Sequence, residues 1–423
     1  MCSNFPLPAA KPEEVGFSTE RLLRIGTGLQ KYIDQKKVPN LITLVARHGK
    51  LVYHDARGYM DFESKKPVTK ETLFRLYSNS KLIAGVVTMM LFEEGKLGLD
   101  DPIYRYIPAF RNQIVLDHPE RPEPDISTPI RLTPAIRGIT IRDCLRNTTG
   151  LPTAMKMPLI YLILYRDALT DLGMYPGSAP GKMNYRERAE AYAKLPLSFQ
   201  PGTDFEYHVG YDILSVVLEM VAGKPLDEFY QERIFQPLNM KDSSFYVPAD
   251  KISRFPTCYR PQREAGEWKL VVNDTPENSN KVKGPKNIFD VGGSVGGNIS
   301  TAADYARFCQ MLLNGGELDG IRLLSRKSVE MMTANHIGNI HNNITGRGYG
   351  FGLGISQYLG GAVRPVMRSI GTFHWGGAAG TTSFMDPKED LLGICFTQVL
   401  THYLMPGNLF QEDFERLVYQ SLL

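Results

Sequence analysis

Residues Leu76–Met90, "LYSNSKLIAGVVTMM", read as a helix that is apolar on nearly every side yet opens on two serines and a lysine. A segment built only to pack wants none of the three at that place. Leu82, Ile83, Val86, Val87, Met90 and Leu91 form a wide apolar face suited to a buried central position, and Gly95 stands where such a helix stops. Ser78 and Lys81 are three residues apart, so a helix starting near Ser78 sets hydroxyl and amine on one side, one turn from each other. Serine is also a preferred helix cap, and Ser-x-x-Lys turns up by chance about once in a chain of this length. Yet Ser78 is the only serine with a lysine three residues on. A lysine in the first helical turn opposes the macrodipole, which a cap alone leaves unexplained. A serine hydroxyl attacks only once a neighbour takes its proton, and a lysine can do so when burial and a helix N-terminus favour its neutral form.

Outward from this helix the chain changes character. On its N-terminal side, residues 18–35 carry Leu22, Ile25, Leu29, Tyr32 and Ile33 at helical spacing behind a Ser/Thr cap. "LITLVARHGKLVYHDARGY" then predicts a hairpin around His48, Gly49 and Lys50. From about Asp100 to Pro201 the chain is proline-punctuated and helical or irregular, and "LIYLILYRDALTDLGMY" within it reads as an all-apolar helix that forms a lid or pocket wall. "YDILSVVLEMVAG" and "LDEFYQERIFQPL" predict two more helices. Beyond Ser253, strand-like runs ("EWKLVVN", "LLGICFTQV") alternate with a helix over Thr301–Leu313 and one that closes the chain. Strands at both ends with helices between them imply an α/β fold, a sheet of N- and C-terminal segments with a mostly helical domain inserted. The expected division is 10–75 with 251–423 for the α/β domain and 76–250 for the helical one, with the active site at their interface.

The bulk properties narrow the function. Of 423 residues 43% are hydrophobic and 22% charged, which suits a globular protein with a large core. With 48 basic and 45 acidic residues the net charge is +3, and no run of five or six like charges marks a nucleic-acid partner. The most apolar runs, Leu82–Phe92 and Met157–Tyr165, fall short of the roughly 18 residues a membrane span requires. The N-terminus lacks the basic start and apolar run of a secretory signal, so a cytoplasmic location is expected. Five cysteines include no C-x-x-C pair, and the eight histidines no H-E-x-x-H; the cysteines read as reduced, buried hydrophobes. The expectation is therefore a small-molecule partner, with no metal, no cofactor, no nucleic acid and no membrane. A homo-oligomer is left open.

A second serine competes for the role of nucleophile. "GGSVG", Gly292–Gly296, matches the G-x-S-x-G elbow, and Asp386 and His402 follow in the order that the elbow's triad requires. The elbow needs a buried strand before the serine and a helix directly after it. Here "NIFDV" is short and charged, and further glycines precede the helix cap at Ser300/Thr301, so Ser294 reads as part of a glycine-rich turn.

Four blocks in fixed order carry a resemblance: Ser78-x-x-Lys81; "PGTDFEYHVGYDIL" (Pro201–Leu214) with Tyr207; "GGSVGGNISTAADYARFCQMLLNGG" (Gly292–Gly316); and "HWGGAAGTTSFMDP" (His374–Pro387). Together they resemble the serine β-lactamase-like hydrolases, and most closely the family VIII carboxylesterases, which share the class C β-lactamase fold. The similarity runs from about Glu13 to the C-terminus. It implies a β-lactamase/penicillin-binding-protein-like α/β fold whose antiparallel sheet is flanked by helices.

The resemblance further implies that Ser78 attacks the acyl carbonyl while Lys81 and Tyr207 relay its proton, the two acting as one coupled pair whose formal base is left open. The oxyanion is expected to meet two backbone N–H groups, those of Ser78 and Ala378, with Gly376 and Gly377 allowing close approach. The β-lactamases and peptidases of this fold carry a lysine at the start of the last block and an asparagine two residues after the tyrosine. Here these positions are Trp375 and Val209, both expected at the substrate. Their apolar side chains favour an apolar acyl ester over a penicillin. "GYGFGLG", Gly348–Gly354, is taken as a close-packed structural strand, and His208 and His374 as neighbours without a catalytic role. The expected enzyme is a carboxylesterase of short- to medium-chain esters, with weak β-lactamase side activity at most. An acyltransferase is the alternative; a β-lactamase or D-amino-acid peptidase, or a non-catalytic scaffold, ranks lower.

Overall fold

A computed structural model describes residues 6–117, 131–153, 165–172, 183–282, 297–363 and 366–423. Ser294 and its glycine-rich surroundings lie outside the described residues, as does most of the expected pocket-wall helix, of which Arg166–Asp171 is a described helical turn.

The first helix, α1, spans Thr19–Asp34, and Ser18 caps it by accepting from the Arg21 N–H. Two strands follow, β1 (Asn40–Arg47) and β2 (Lys50–Gly58), joined through His48 and Gly49, both at positive φ (53° and 69°), which a two-residue turn of this hand requires. The central helix α2 spans Ser80–Glu93, α3 Ile141–Arg146, α4 Val209–Ala222 and α5 Ala302–Leu313, the last capped by Thr301. Five more strands close the sheet: β3 (Tyr349–Phe351), β4 (Ser356–Tyr358), β5 (Phe373–Gly376), β6 (Thr382–Asp386) and β7 (Leu391–Phe396). Helix α6, Phe410–Tyr419, follows near the C-terminus.

The seven strands are ordered β3-β4-β5-β6-β7-β1-β2, and every neighbouring pair is antiparallel. The β1–β7 pairing stitches the N-terminal segment to the C-terminal one. Both faces of that seam are covered, which explains why "NLITLVAR" is apolar throughout rather than alternating. Ile42, Leu44 and Ala46 point into the core that contains α2 and α5, while Leu41 and Val45 point into the one formed with α1 and α6. The large antiparallel sheet with helices over both faces is the β-lactamase/penicillin-binding-protein-like architecture expected from the sequence.

Helix α2 lies in the middle of the larger core, and every residue from Ser80 to Leu91 is buried. It is approached so closely that a side chain on Gly85 would meet the Leu353 carbonyl at 2.5 Å, and one on Gly354 the Lys81 carbonyl at 2.9 Å. The glycine-rich strand at Gly348–Gly354 thus packs as expected. Four described cysteines, Cys144, Cys258, Cys309 and Cys395, are buried and free. Among the described residues no helix is long and apolar enough to cross a membrane.

Candidate active site

Ser78 does not cap α2. It sits in a short 3-10 turn, Tyr77–Asn79, ahead of the helix, whose N-cap is Asn79 with no side-chain cap bond. The helix therefore starts two residues later than a Ser78 start. The tighter turn does not cost the pairing, because residues three apart nearly eclipse in 3-10 geometry. Lys81 Nζ donates to Ser78 Oγ at 3.2 Å. Ser78 is partly exposed, whereas Lys81 is 1% exposed.

The surroundings of Lys81 carry the chemical argument. Its Nζ stands 5.2 Å from the ring centre of Tyr207 and 5.3 Å from that of Tyr211, and no carboxylate pairs with it among the described residues. Burying an ammonium group costs several kcal/mol even after relaxation. Two ring faces return about 2 kcal/mol each at best. A methionine would fill the same space without that cost, so packing alone does not explain the residue.

Two tyrosines face the amine, and their hydrogen bonds separate them. Tyr211, wholly buried in α4, donates its hydroxyl to the Leu145 carbonyl at 2.6 Å. Burial first, then the neighbouring Tyr207 and Cys144, push its phenol far above the ordinary value. It stays a neutral phenol with its proton engaged. Tyr207 instead accepts: Trp375 Nε1–H donates to its Oη at 3.1 Å, and the two rings lie 5.4 Å apart. Of the two, Tyr207 has the oxygen free to exchange a proton.

Trp375 is on β5 and 4% exposed, so its indole is both an apolar surface and a donor to Tyr207. Phe351 packs edge-on against it at 5.1 Å and against Phe205 at 5.4 Å, and with Ile337 they form a small separate cluster beside Tyr207. Phe205, Phe351 and Ile337 were not singled out in the sequence as site residues. A signal existed in part: Phe205 lies two residues before Tyr207 in the second block, and Phe351 is one of three large side chains, with Tyr349 and Leu353, that alternate with the glycines of "GYGFGLG".

The remaining expected residues fall as follows. Ala378 is exposed just beyond β5; its carbonyl accepts from the Thr401 N–H, while its own N–H has no partner among the described residues. The room at Gly377 is taken by protein: a side chain there would meet Thr381 Oγ1 at 2.2 Å and the Leu76 carbonyl at 2.3 Å. Gly377 thus brings the end of β5 against the turn that holds Ser78, whereas a side chain on Gly376 would meet only the Thr381 carbonyl, at 3.2 Å. Val209, the first residue of α4, is buried in the main core. His374 alternates to the face of β5 opposite Trp375, where its ring meets Tyr349 at 5.3 Å. The structure therefore brings Ser78, Lys81, Tyr207 and Trp375 together.

A profile of the Beta-lactamase family matches residues 28–404. The chain belongs to that family. It is similar to Protein Rv1367c of Mycobacterium tuberculosis, 32% identical over 376 residues and 86% of each chain. Esterase EstB of Burkholderia gladioli is 26% identical over 392 residues, 90% of this chain and 92% of that one. Among solved structures the chain is similar to EstCE1, a hydrolase with promiscuous acyltransferase activity, at TM-score 0.75 and 26% identity, covering 95% of this chain and 99% of that one. The chain is thus a β-lactamase-fold serine hydrolase.

Proposed function

We propose that this β-lactamase-family chain is a serine carboxylesterase that cleaves short- to medium-chain esters through an acyl-enzyme on Ser78. The observation that carries the reading is the buried Lys81 amine, 3.2 Å from the Ser78 hydroxyl and without a carboxylate partner among the described residues. Ser78 Oγ attacks the acyl carbonyl and its proton passes to the Lys81–Tyr207 pair. The resulting oxyanion is held by the N–H groups of Ser78 and Ala378; one such donor is worth roughly 3 kcal/mol in related sites. The ester C–O bond then breaks, and Tyr207 returns the proton to the leaving alcohol. Water repeats the sequence on the acyl-enzyme and releases the acid. Trp375, backed by Phe205 and Phe351, offers the acyl chain an apolar wall beside Tyr207, and no lysine stands at that position to read a substrate carboxylate.

The test is hydrolysis of a nitrophenyl butyrate. Ser78→Ala is expected to lower turnover by about 10⁴-fold or more with the fold intact. Activity that survives this change and disappears in Ser294→Ala moves the site to the other serine. A second reading, transfer of the acyl group to an alcohol rather than to water, is favoured by the acyltransferase activity named for EstCE1. Acceptor-dependent product formation well above background hydrolysis decides for it.

A further inference from the structure

Tyr207 is the one member of the Ser78, Lys81 and Tyr207 group that no helix or strand carries, and the backbone directly after it is strained. His208 has φ 109° and ψ −67°. Ten other non-glycine residues have positive φ among the described ones, all between 48° and 60°, the left-handed well that a side chain tolerates. His208 lies outside that well, where a β-carbon is crowded and only surrounding structure can hold the chain.

The surroundings are specific. Helix α4 starts at Val209 and cannot slide, because a side chain on Gly210 would meet the Cys144 backbone at 2.9 Å, and Tyr211 is tied to the Leu145 carbonyl. The segment before Tyr207 cannot slide either, since the Glu206 N–H donates to the Asn147 carbonyl at 2.9 Å. His208 absorbs the misfit, and its N–H donates to Asn147 Oδ1 at 3.1 Å. Asn147 therefore grips the chain on both sides of Tyr207, with its carbonyl before and its side chain after.

Asn147 ends α3 in the left-handed conformation, φ 60° and ψ 41°. Glycine or asparagine suits such a place. Asparagine here is 1% exposed and leaves its Nδ2 without a partner among the described residues, a cost that glycine would avoid. What the asparagine adds is the Oδ1 contact to His208.

We infer that Asn147 is a positioning residue of the acyl-transfer site: its Oδ1 sustains the strained His208 backbone and so sets where Tyr207 Oη stands against Lys81 and Trp375. The inference rests on the proposed roles of Ser78, Lys81 and Tyr207.

The test uses the full chain and nitrophenyl butyrate kinetics. Asn147→Gly keeps the left-handed helix end and removes the acceptor. It is expected to lower kcat about 100-fold, the effect of misplacing a reacting group by about 1 Å, with KM changed by no more than about twofold. Asn147→Asp keeps an acceptor and is expected to stay within about fivefold of the parent kcat, since the N–H···O contact survives. Adding His208→Gly to Asn147→Gly is expected to restore kcat about tenfold, because glycine takes positive φ without the side-chain penalty. The chain has two tryptophans, so in a Trp268→Phe background the Trp375 emission should shift with Asn147→Gly as its bond to Tyr207 is lost. A parent-like kcat in Asn147→Gly overturns the inference, as does a loss that His208→Gly fails to restore. Ser78→Ala run alongside separates the two levels: an active Ser78→Ala removes the site itself, whereas an inactive one beside an unaffected Asn147→Gly removes only the role of Asn147.

Discussion

Lys81 touches both Ser78 and Tyr207, yet its two neighbours are held by opposite means. Ser78 is the lead-in to α2, a helix buried from Ser80 to Leu91, clamped by Leu353 at Gly85 and by the end of β5 at Gly377. Tyr207 hangs in a linker between segments, with Asn147 accepting from the backbone of its two neighbours, Glu206 and His208, and Trp375 on its hydroxyl. The serine and its amine are fixed by the packing of the whole core, and the phenol by three hydrogen bonds. Rigidity on one side and a few replaceable contacts on the other make Tyr207 the member whose position is adjustable by single substitutions.

Substitutions that break this contrast should do so in a definite order. Lys81→Met is expected to have the largest effect, a loss of about 10³- to 10⁴-fold in kcat, because the proposed Lys81–Tyr207 relay loses its amine beside Ser78. Thermal stability should stay level or rise, since a buried polar group without a carboxylate partner among the described residues is replaced by an apolar side chain of similar shape. Kinetics and a melting curve on the same preparation check both halves; a large fall in Tm would mean that Lys81 is structural.

Asp143 is expected next, through stability. It is a wholly buried residue of α3 itself, where it accepts from Arg137, Arg146 and Thr148 and anchors the helix that ends in Asn147. Burial pushes its carboxyl up, but the bonds and charge of Arg137, with Arg146 and the Thr140 backbone, outweigh it and hold the group below the ordinary carboxylate value. Asp143→Ala leaves two arginines unpaired and should cost about 3–5 kcal/mol. The sign with pH follows: a depressed folded pKa contributes stability that is present above the unfolded value near 4 and lost as pH falls through the folded one. Urea midpoints between pH 7 and pH 3 should therefore fall more steeply for the parent protein than for Asp143→Asn.

Tyr207→Phe should lower kcat by about 10²- to 10³-fold with little change in stability, as for loss of one general acid–base group. Trp375→Phe is the smallest: it keeps the apolar wall and removes the indole N–H, and a loss of about tenfold or less is expected for one neutral hydrogen bond. A larger loss for Trp375→Phe than for Tyr207→Phe would make the indole, rather than the phenol, the group that matters.

Much of this division was visible in the sequence. Helix α1, the hairpin at His48 and Gly49, the Thr301 cap and the closing of α4 at Gly223 all depend on neighbours in the chain, and they fall where the spacing predicts. Ser78 and Lys81 stood out because polar groups interrupt an apolar run, which is also a local signal. They stand 3.2 Å apart, one turn from each other as the spacing predicts. The tyrosine half carries no such local signal: Tyr207 and Trp375 stood out only through the four-block resemblance, and Asn147 did not stand out at all. Its partners lie far off in sequence, 61 residues for Asn147 to His208 and 168 for Trp375 to Tyr207, and no periodicity relates them. The aromatic wall of Phe205, Phe351 and Trp375 likewise comes from three separate segments. Gly376 and Gly377 were expected to let the strand approach substrate closely; the structure adds that Gly377 allows a close approach within the protein, to Leu76 and Thr381, which no local pattern shows.

The claim on which the account stands is that Ser78 becomes acylated. Reaction of the intact chain with an activated alkyl phosphonate ester, followed by peptide mass mapping, tests it directly. The account predicts one label per chain, on the peptide that contains Ser78, and none when Lys81→Met is treated in the same way. A label on the peptide that contains Ser294, or an unlabelled chain that still hydrolyses esters, would contradict it.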